Sequence, residues 1–464
     1  MTVADRLAAL LGEDAVLRSE TERAARSRDL SPSRLIRERA GDGTRDLPDA
    51  VVRPADTEAV AQLLRWADSE KVPVVPLGGG SSVVRGIAPQ GGIVADLGRM
   101  DAVLDVDDRS RLARVGAGAR GEALQEHLAS AGWMLGHQPQ SMSLSTVGGW
   151  IATRSAGQLS IGFGVIEDVV AAMDVVLPGG RVLRERAVPR RSAGPRIDQL
   201  FIGSEGTLGI ITEAVLRVVP TLDERADAAF TFEHMADGVA ACRAIAQMGA
   251  GPILLRLYDA EDAAIFWRRA EEPPSGHILI MSGRAPADLE RAGASARASG
   301  GEPAPDGLVS FWWEHRNDAA ADMLELLSGH GVLGPHAAVD TFEVAATWSR
   351  VRGVYHAMKE RLGADADIAG CHLSHVYPDG ACLYFTAAAV CDDDAEAARR
   401  LEGWWGNAMR IALEEGASIS HHHGIGRTRA AWLREELGDW YELLIIVKRA
   451  LDPNGIMNPG VFGI

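Results

Sequence analysis

A run of β-forming residues at 72–76 leads directly into Leu77-Gly-Gly-Gly-Ser-Ser82, and this junction restricts the fold of the chain strongly. Its small side chains leave the backbone N–H groups open to a ligand at close range, as a pyrophosphate requires. An apolar strand at 50–52 and a capped helix that begins at Thr57 precede it, so we predict a βαβ-like unit with a glycine turn. Two valines follow instead of a helix, so the pattern is not the Rossmann fingerprint. A tight turn between strands is the alternative interpretation.

Three more loops combine glycine with hydroxyl side chains. They are Ser143-Leu-Ser-Thr-Val-Gly-Gly-Trp150, Ile161-Gly-Phe-Gly164 and Gly203-Ser-Glu-Gly-Thr-Leu-Gly209. All lie within about the first 220 residues, where strands are predicted at 92–95, 112–115, 169–177 and 209–219. Several small-residue loops from one domain suit an extended dinucleotide better than a single phosphate.

The length of 464 residues exceeds what one compact core usually accommodates, so we expect two domains. The first forty-odd residues alternate charged residues with Leu and Ala in a helical pattern. After Pro220 the pattern changes to helices separated by strands, which predicts a second domain of α+β type.

Charge and cysteine content limit the class of partner and the location. The 64 acidic residues exceed the 47 basic ones, and the formal charge of −17 argues against nucleic acid or an anionic membrane surface as a partner. The four cysteines lack a paired spacing, so no zinc site or disulfide framework is predicted. Neither a secretory signal nor a membrane-spanning run is apparent, so we expect a cytoplasmic protein with reduced thiols, and a homodimer is compatible with these features.

Three consecutive histidines, His421, His422 and His423, lie between Ser420 and Gly424. Imidazoles titrate near neutral pH and act as donors, acceptors and proton carriers, while the nearby glycines allow close approach to a ligand. The run is therefore either one wall of an active site or a solvated polar turn with some affinity for metals.

Four motifs in this order resemble the FAD-binding oxidases and dehydrogenases of the vanillyl-alcohol oxidase type. The motifs are residues 76–84, 145–149 and 203–213, and the ending Asp452-Pro-Asn-Gly-Ile-Met-Asn-Pro-Gly460. The resemblance implies an α+β fold with a two-part FAD-binding domain and an α+β cap domain that has a central antiparallel sheet. It divides the chain into a helical amino-terminal segment (1–46), the FAD-binding domain (47–220), the cap domain (221–405) and a segment that returns to the flavin (406–464).

Implied cofactor residues follow from these motifs. Because no His, Tyr or Cys occurs at 77–85, FAD is expected to be bound noncovalently. Lys448 and Asn458 are either cofactor contacts or residues of a helix surface and a turn. The expected FAD-binding residues are Pro76, Gly78, Gly79, Gly80, Ser81, Ser82, Ser143, Ser145, Thr146, Gly149, Thr153, Ser155, Glu205, Gly206, Gly209 and Ile210.

Within that superfamily the chain is most similar to the alkylglycerone-phosphate synthases, through motifs that include Asp340-Thr-Phe-Glu343, Asp379-Gly-Ala-Cys-Leu-Tyr-Phe385 and Ser420-His-His-His-Gly-Ile-Gly426. The resemblance implies an exchange of groups at flavin N5 without net redox change. Tyr384 would act as general acid or base if neighbouring charge lowered its pKa, and the histidine run would bind an anion and share the proton. His137 and Arg256 are expected to bind substrate, although Arg256 could instead order the structure.

One departure from that family bears on the substrate. The synthases carry a phosphate-binding arginine before the D-T-x-E motif, but residues 317–349 contain no Arg or Lys, and Asp322-Met323 lies about where it should stand. Losing a charge-assisted partner removes about 1.5–3 kcal/mol of binding. An FAD-dependent oxidase or dehydrogenase of a hydroxy acid or alcohol is therefore the alternative function, and a flavin-binding protein without turnover is a third.

Overall fold

The computed structural model describes residues 1–41, 47–222, 224–249, 251–305 and 307–464, and it contains both helices and sheets, as expected for an α+β protein. The predicted boundary at 46/47 adjoins residues 42–46, which lie outside the described residues. Among the described helices, none is long and apolar enough to cross a membrane.

The helices are α1 (Val3–Leu11), α2 (Glu20–Ala24), α3 (Pro32–Arg39), α4 (Thr57–Glu70), α5 (Gly121–Ala129), α6 (Val147–Thr153), α7 (Ser160–Phe163), α8 (Ile166–Val169), α9 (Met235–Ala246), α10 (Ala260–Phe266), α11 (Pro286–Ala298), α12 (Leu308–His315), α13 (Ala319–Leu327), α14 (Trp348–Gly363), α15 (Asp394–Glu414), α16 (Ala430–Leu437) and α17 (Asp439–Leu451). Short 3-10 turns occupy Glu13–Ala15, Ile197–Leu200 and Val461–Gly463.

The strands are β1 (Val16–Leu17), β2 (Ala50–Val52), β3 (Val74–Leu77), β4 (Ile93–Asp96), β5 (Val103–Asp107), β6 (Leu112–Gly116), β7 (Trp133–Leu135), β8 (Val170–Val176), β9 (Val182–Arg184), β10 (Ile210–Pro220), β11 (Ala226–Phe232), β12 (Leu254–Tyr258), β13 (His277–Gly283), β14 (Glu302–Pro303), β15 (Ala338–Thr347), β16 (Ile368–Val376) and β17 (Gly380–Ala389).

The first sheet has the order β1-β2-β4-β3, and β2, β4 and β3 run parallel. Helix α4 connects β2 to β3, as the βαβ-like pattern predicts. Asp56 caps the helix by accepting a hydrogen bond from the Ala59 N–H, at 2.8 Å. Buried Val60, Leu63, Leu64 and Ala67 follow the i, i+3, i+4, i+7 spacing of one helix face.

Antiparallel strands form the second sheet, in the order β5-β6-β10-β8-β9, with β7 also paired to β10. The carboxyl-terminal segment returns to the first sheet, because Val74 pairs with Met457 and the Asn458 N–H donates to the Val74 carbonyl at 2.9 Å. The end of the chain therefore lies beside the strand that leads into the glycine loop, which we define as residues 78–82.

The third sheet, here called the cap sheet, has the order β14-β11-β13-β12-β16-β17-β15 and is antiparallel throughout its pairings. Helices α14 and α15 pack against β15, β16 and β17. Helix α15 continues without a break through the predicted boundary at 405/406. Because successive residues of a strand point to opposite faces, the face away from these helices presents alternate side chains to a cavity.

Candidate functional site

A single large cavity of about 920 Å³ extends from the glycine loop to the cap sheet. Three neighbouring strands at one end of the cap sheet contribute alternate residues, including Thr341 of β15, His372 and Ser374 of β16, and Tyr384 and Thr386 of β17. His422 and His423 also line it. The loops predicted to bind a dinucleotide and the residues predicted to carry the chemistry therefore share one cavity.

The glycine loop is packed tightly against residues 144–146. A Cβ atom on Gly79 would lie 1.9 Å from the Leu144 carbonyl oxygen, and one on Gly78 would lie 2.4 Å from Oγ1 of Thr146. A larger residue at position 79 would require the backbone to move, and one at position 78 would displace the Thr146 side chain. Buried Asp29 supports the far end of this region by accepting a hydrogen bond from the Gly86 N–H at 2.8 Å.

Most of the predicted FAD-binding residues line this cavity, and one does not. Ser143 is exposed in a turn outside the cavity wall, because the chain turns back at Ser141, whose carbonyl accepts from the Leu144 and Ser145 N–H groups. The residues that line it are Pro76, Gly78, Gly79, Gly80, Ser81, Ser82, Ser145, Thr146, Gly149, Thr153, Ser155, Glu205, Gly206, Gly209 and Ile210.

The carboxylate of Glu205 holds another segment of the protein. It accepts hydrogen bonds from the N–H groups of Ile425 at 2.6 Å and Gly426 at 2.9 Å. Burial raises the pKa of Glu205 to about 7, although these two N–H donors lower it. A Cβ on Gly424, whose φ is +86°, would lie 2.6 Å from the carboxylate. Glu205 therefore fixes the histidine loop, defined here as residues 418–426, beside the cavity.

A buried ion pair anchors the other side of the histidine loop. Nη1 of Arg429 lies 2.7 Å from Oε1 of Glu343, and both side chains are fully buried. Glu343 also accepts from the His421 N–H and, at 2.9 Å, from the His423 N–H. Burial by itself would raise the pKa of Glu343, but Arg429 and the neighbouring His423 and His422 hold it well below its usual value.

The three histidines point to different places. His422 and His423 line the cavity, whereas His421 lies behind them and contacts Tyr377, with Nε2 2.7 Å from the phenol oxygen. Burial lowers the pKa of His421 and of His423 to about 4 and that of His422 well below its usual value. At neutral pH all three are therefore uncharged imidazoles, able to accept a proton but not to attract an anion by charge.

Tyr384 lies in the part of the cavity wall that the cap sheet forms, where β17 pairs it with Glu343 on one side and His372 on the other. Its hydroxyl donates to Oγ1 of Thr341 at 3.1 Å. Burial, together with the charges of Glu343 and Asp340, raises its pKa. The neighbouring charges are negative, so they do not supply the lowered pKa that an acid–base role of Tyr384 would need, and its neutral hydroxyl is a hydrogen-bond donor in this structure.

Two arginines near Trp312 bring positive charge to the cavity. The guanidinium carbons of Arg256 and Arg316 lie 5.4 and 6.0 Å from its ring centroid, and both residues line the cavity. Among the described residues, their side-chain hydrogen-bond partners are uncharged: Nη2 of Arg256 contacts Nε2 of His372 at 2.7 Å, and Arg316 donates to Gln158 and Gln138 at 2.5 and 3.1 Å. Burial and the charges of Arg225 and Arg256 lower the pKa of Arg316 to about 10.

His372 fixes Arg256. Its Nδ1 lies 2.7 Å from Oδ2 of Asp262, so its Nε2 is available to accept from Arg256, and its ring stacks on Tyr384 with centroids 4.9 Å apart. Arg256 therefore faces the cavity one ring away from Tyr384. His137, by contrast, is fully buried outside the cavity wall, where it contacts Ser155 and packs against Trp150.

Asp322 occupies the place where the synthase resemblance expects an arginine. Its carboxylate pairs with Arg268 at 2.6 Å and Arg269 at 3.1 Å, and all three residues line the cavity. The charge of residue 322 itself is therefore reversed, and the two exposed arginines that pair with it leave the group of three with a net charge of about +1.

Two family models match the chain: the FAD binding domain at residues 48–186, and the C-terminal domain of FAD linked oxidases at residues 222–462. The chain belongs to the FAD-linked oxidase family. It is 31% identical to an uncharacterized FAD-linked oxidoreductase, YgcU, of Escherichia coli K12, over 99% of this chain and 97% of that one.

Enzymes with different activities are among the other relatives. Identity is 30% with the alkyldihydroxyacetonephosphate synthase of Dictyostelium discoideum, over 92% of this chain and 74% of the synthase. With a D-lactate dehydrogenase of Anaerostipes hadrus it is 28%, over 89% of each chain. A solved structure of an alkyldihydroxyacetonephosphate synthase superposes with a TM-score of 0.79 and 27% identity, over 98% of this chain and 84% of that one.

The cavity of this FAD-linked oxidase fits its cofactor. The glycine loop offers backbone donors without intervening side chains, which suits the pyrophosphate. Asn458 also lines the cavity, and its buried side-chain oxygen has no partner among the described residues, which leaves an acceptor for a ligand N–H. Lys448 is bound instead to Asp452 and to the carbonyls of Thr207 and Met457, so it has a structural role.

Sequence reasoning missed Arg316, the residue that immediately precedes the stretch without Arg or Lys. A signal was available, because Trp312 and Arg316 stand four residues apart at the end of a helix and so share one face.

Three histidines of this region are close enough together to bind a metal ion. One ring nitrogen of each of His375, His421 and His422 lies within 4.8 Å of the others. Both nitrogens of His421 already have partners, Tyr377 and His422. A metal would have to displace these hydrogen bonds, so the arrangement favours imidazoles that share protons.

Proposed function

We propose that this FAD-linked oxidase removes two electrons from the hydroxyl-bearing carbon of a small hydroxy acid. The observation that carries the proposal is the pair Arg256 and Arg316, which both lie close to Trp312 and have uncharged hydrogen-bond partners. Two guanidinium groups inside a cavity favour an anionic ligand, and a planar guanidinium matches a carboxylate well.

Each group around this pair has a task in the reaction. The substrate carboxylate binds Arg256 and Arg316. The substrate hydroxyl accepts a hydrogen bond from Tyr384, whose O–H then turns from Thr341 to the substrate. His422 removes the hydroxyl proton, which an uncharged imidazole can accept. Bound FAD supplies the acceptor for the hydrogen and electron pair that leave the carbon. The product is the corresponding oxo acid.

Glu343 supports this proton transfer from behind the cavity wall. Its buried carboxylate interacts with the charged forms of His422 and His423, and Oε1 lies 3.6 Å from Nδ1 of His423. A positive charge that forms briefly on the imidazoles is thereby stabilised, while Arg429 keeps Glu343 ionised.

Group exchange of the synthase type is the second candidate. One part of the cavity wall is apolar, with Phe311, Met323, Leu326 and Leu333, and would accept an alkyl chain. The identity with the Dictyostelium synthase also favours it. Asp322 stands where the synthases are expected to have a phosphate-binding arginine. Because that partner for a phosphate group is missing, oxidation is favoured over group exchange.

Anaerobic mixing with a panel of D- and L-2-hydroxy acids tests the proposal. We expect at least one acid to bleach the flavin absorbance, while the neutral alcohol of the same carbon skeleton does not. If no acid bleaches the flavin and acyl-dihydroxyacetone phosphate with a fatty alcohol releases fatty acid, the synthase activity is correct instead.

We further propose that FAD is held noncovalently, because residues 77–85 offer no His, Cys or Tyr for attachment. Acid precipitation of the protein should then leave the yellow flavin in the supernatant. Flavin that stays with the pellet would contradict this.

A further inference from the structure

The histidine loop connects the cavity to another part of the protein through His421. Nδ1 of His421 lies 2.9 Å from Nδ1 of His422, which lines the cavity, and Nε2 of His421 lies 2.7 Å from the Tyr377 hydroxyl. Each contact has hydrogen-bond length. Three polar groups therefore form an unbroken chain that begins at the cavity and ends at Tyr377.

The protons in this chain are coupled. A neutral imidazole carries one N–H and one acceptor nitrogen, so two facing Nδ1 atoms share a single proton. When His422 Nδ1 is the donor, His421 must donate from Nε2 to the phenol oxygen. When His421 Nδ1 is the donor, the Tyr377 hydroxyl must donate to His421 Nε2. Both arrangements satisfy the two contacts, and they differ by the transfer of protons along the chain.

The outer end of the chain lies close to solvent. Tyr377 is half-buried, and the next residues, Pro378 and Asp379, are exposed. Burial raises the pKa of the Tyr377 hydroxyl, and Cys382 raises it further. The nearby carboxylates of Glu167, Asp168 and Asp379 act in the same direction. Negative charge around this end attracts a proton that leaves the protein.

The neighbouring histidines do not belong to this chain. Nδ1 of His375 contacts Oγ of Ser160 at 2.8 Å, and its ring stacks on that of His421 instead of bonding to it. His423 is held through its backbone by Glu343, and its Nδ1 has no hydrogen-bond partner among the described residues. Only His421 therefore links a cavity residue to Tyr377 in the described part of the chain.

We propose that His422, His421 and Tyr377 form a proton relay that carries the substrate's hydroxyl proton from the cavity to solvent; this inference rests on the proposed function. The substrate O–H proton passes to His422 Nε2, and the His422 Nδ1 proton passes to His421 Nδ1. The His421 Nε2 proton then passes to the Tyr377 oxygen, whose own proton passes to water. Four bonds to hydrogen break, four form, and no electrons are exchanged along the chain. Transfer in the opposite direction restores the starting tautomers and brings a proton into the cavity.

Tyr377→Phe tests the relay because it removes only the outer oxygen. A hydroxy acid that bleaches the flavin is mixed anaerobically with the holoenzyme in weakly buffered solution containing phenol red. In the wild type, bleaching and proton release should coincide. In the variant, both should slow about 100-fold or more, the lower end of what a proton-transfer group contributes. Added imidazole should restore part of the rate, which would not occur after a purely structural loss.

Tyr355→Phe is the matched control, since its half-buried hydroxyl donates to Asp259 at 3.2 Å and lies outside the cavity. It should leave both signals unchanged. Wild-type rates and a wild-type proton signal in Tyr377→Phe would overturn the relay.

A second measurement is independent of any substrate. The holoenzyme is labelled with ¹⁵N-histidine, and the NMR signals are assigned with His421→Gln. We expect the Nδ1 signals of His421 and His422 to show one shared proton. We also expect Tyr377→Phe to shift the Nε2 signal of His421. Absence of that shift would refute the relay whatever the reaction. If the shift is observed but no hydroxy acid bleaches the flavin, the relay is retained and the proposed substrate class is refuted.

Discussion

Nη1 of Arg429 lies 2.7 Å from Oε1 of Glu343 behind the cavity wall, and neither side chain is exposed to solvent. Arg429 also donates to Oγ of Ser420 at 2.6 Å and to the Gly424 carbonyl at 2.7 Å. The ion pair therefore joins strand β15 to both ends of the histidine run. Its position explains how a short loop between two elements can hold three imidazoles in fixed orientations.

Replacing Arg429 with Met should destabilise the protein strongly. The change leaves the Glu343 charge buried without its partner, a defect that typically costs about 3–5 kcal/mol. Urea unfolding measures the loss. The control is Arg434→Met, which removes the exposed ion pair to Glu442 and should cost at most about 1 kcal/mol. Equal losses in the two variants would contradict the anchoring role of Arg429.

How much of the site could be predicted from the sequence depends on how local its contacts are. The glycine loop can be recognised in the sequence because it consists of small residues next to one another after a strand. Glu205 lines the cavity, but its carboxylate binds residues 220 and 221 positions away, and no sequence pattern indicates that contact. The helix and strand pattern around Thr57 was similarly local, and the structure contains it.

The charge environment of the catalytic groups could not be predicted for the same reason. The pKa of Tyr384 depends on Glu343 and Asp340, which reach it only through the pairing of β15 with β17. The proximity of Arg256 and Arg316 likewise depends on β12 bringing Arg256 to the helix that ends before Arg316, sixty residues later in the chain.

Gly79→Ala should weaken FAD binding. The added Cβ would lie 1.9 Å from the Leu144 carbonyl oxygen, so the glycine loop must move away from residues 144–146. We expect the dissociation constant for FAD to rise roughly tenfold or more, equivalent to about 1.4 kcal/mol or more. Fluorescence titration of the apoprotein with FAD measures it. Gly403→Ala, in an open position on α15, should leave FAD affinity unchanged and stabilise the helix by about 1 kcal/mol.

Acid should destabilise the protein through His137. Burial lowers its pKa from 6.5 to about 3, so below pH 6.5 the unfolded chain takes up a proton here that the folded chain does not. The corresponding stability is complete above pH 6.5 and is lost as the pH falls toward 3. Between pH 7 and pH 5 this amounts to about 2 kcal/mol.

His137→Gln should therefore reduce the difference between the free energies of unfolding at pH 7 and pH 5 by about that amount. Urea titrations at the two pH values provide the measurement. His127→Gln, on the exposed face of α5, should leave the difference as it is in the wild type. An unchanged difference in the His137 variant would show that the folded protein protonates this residue readily.

Arg316→Gln should weaken the binding of small anions to the cavity. The substitution removes one of the two guanidinium groups beside Trp312, and a hydrogen bond to a charged group contributes about 1.5–3 kcal/mol. Oxalate, a carboxylate without an oxidisable C–H bond, is a suitable probe, and its binding to the holoenzyme can be followed by the change in flavin absorbance. We expect its dissociation constant to increase roughly 10- to 100-fold.

Arg361→Gln is the control. It removes an exposed arginine from α14 and should change the dissociation constant of oxalate by less than about twofold, because screening weakens distant surface charges. A similar small change in Arg316→Gln would mean that the cavity binds its substrate without this arginine, and the hydroxy-acid proposal would lose its main support.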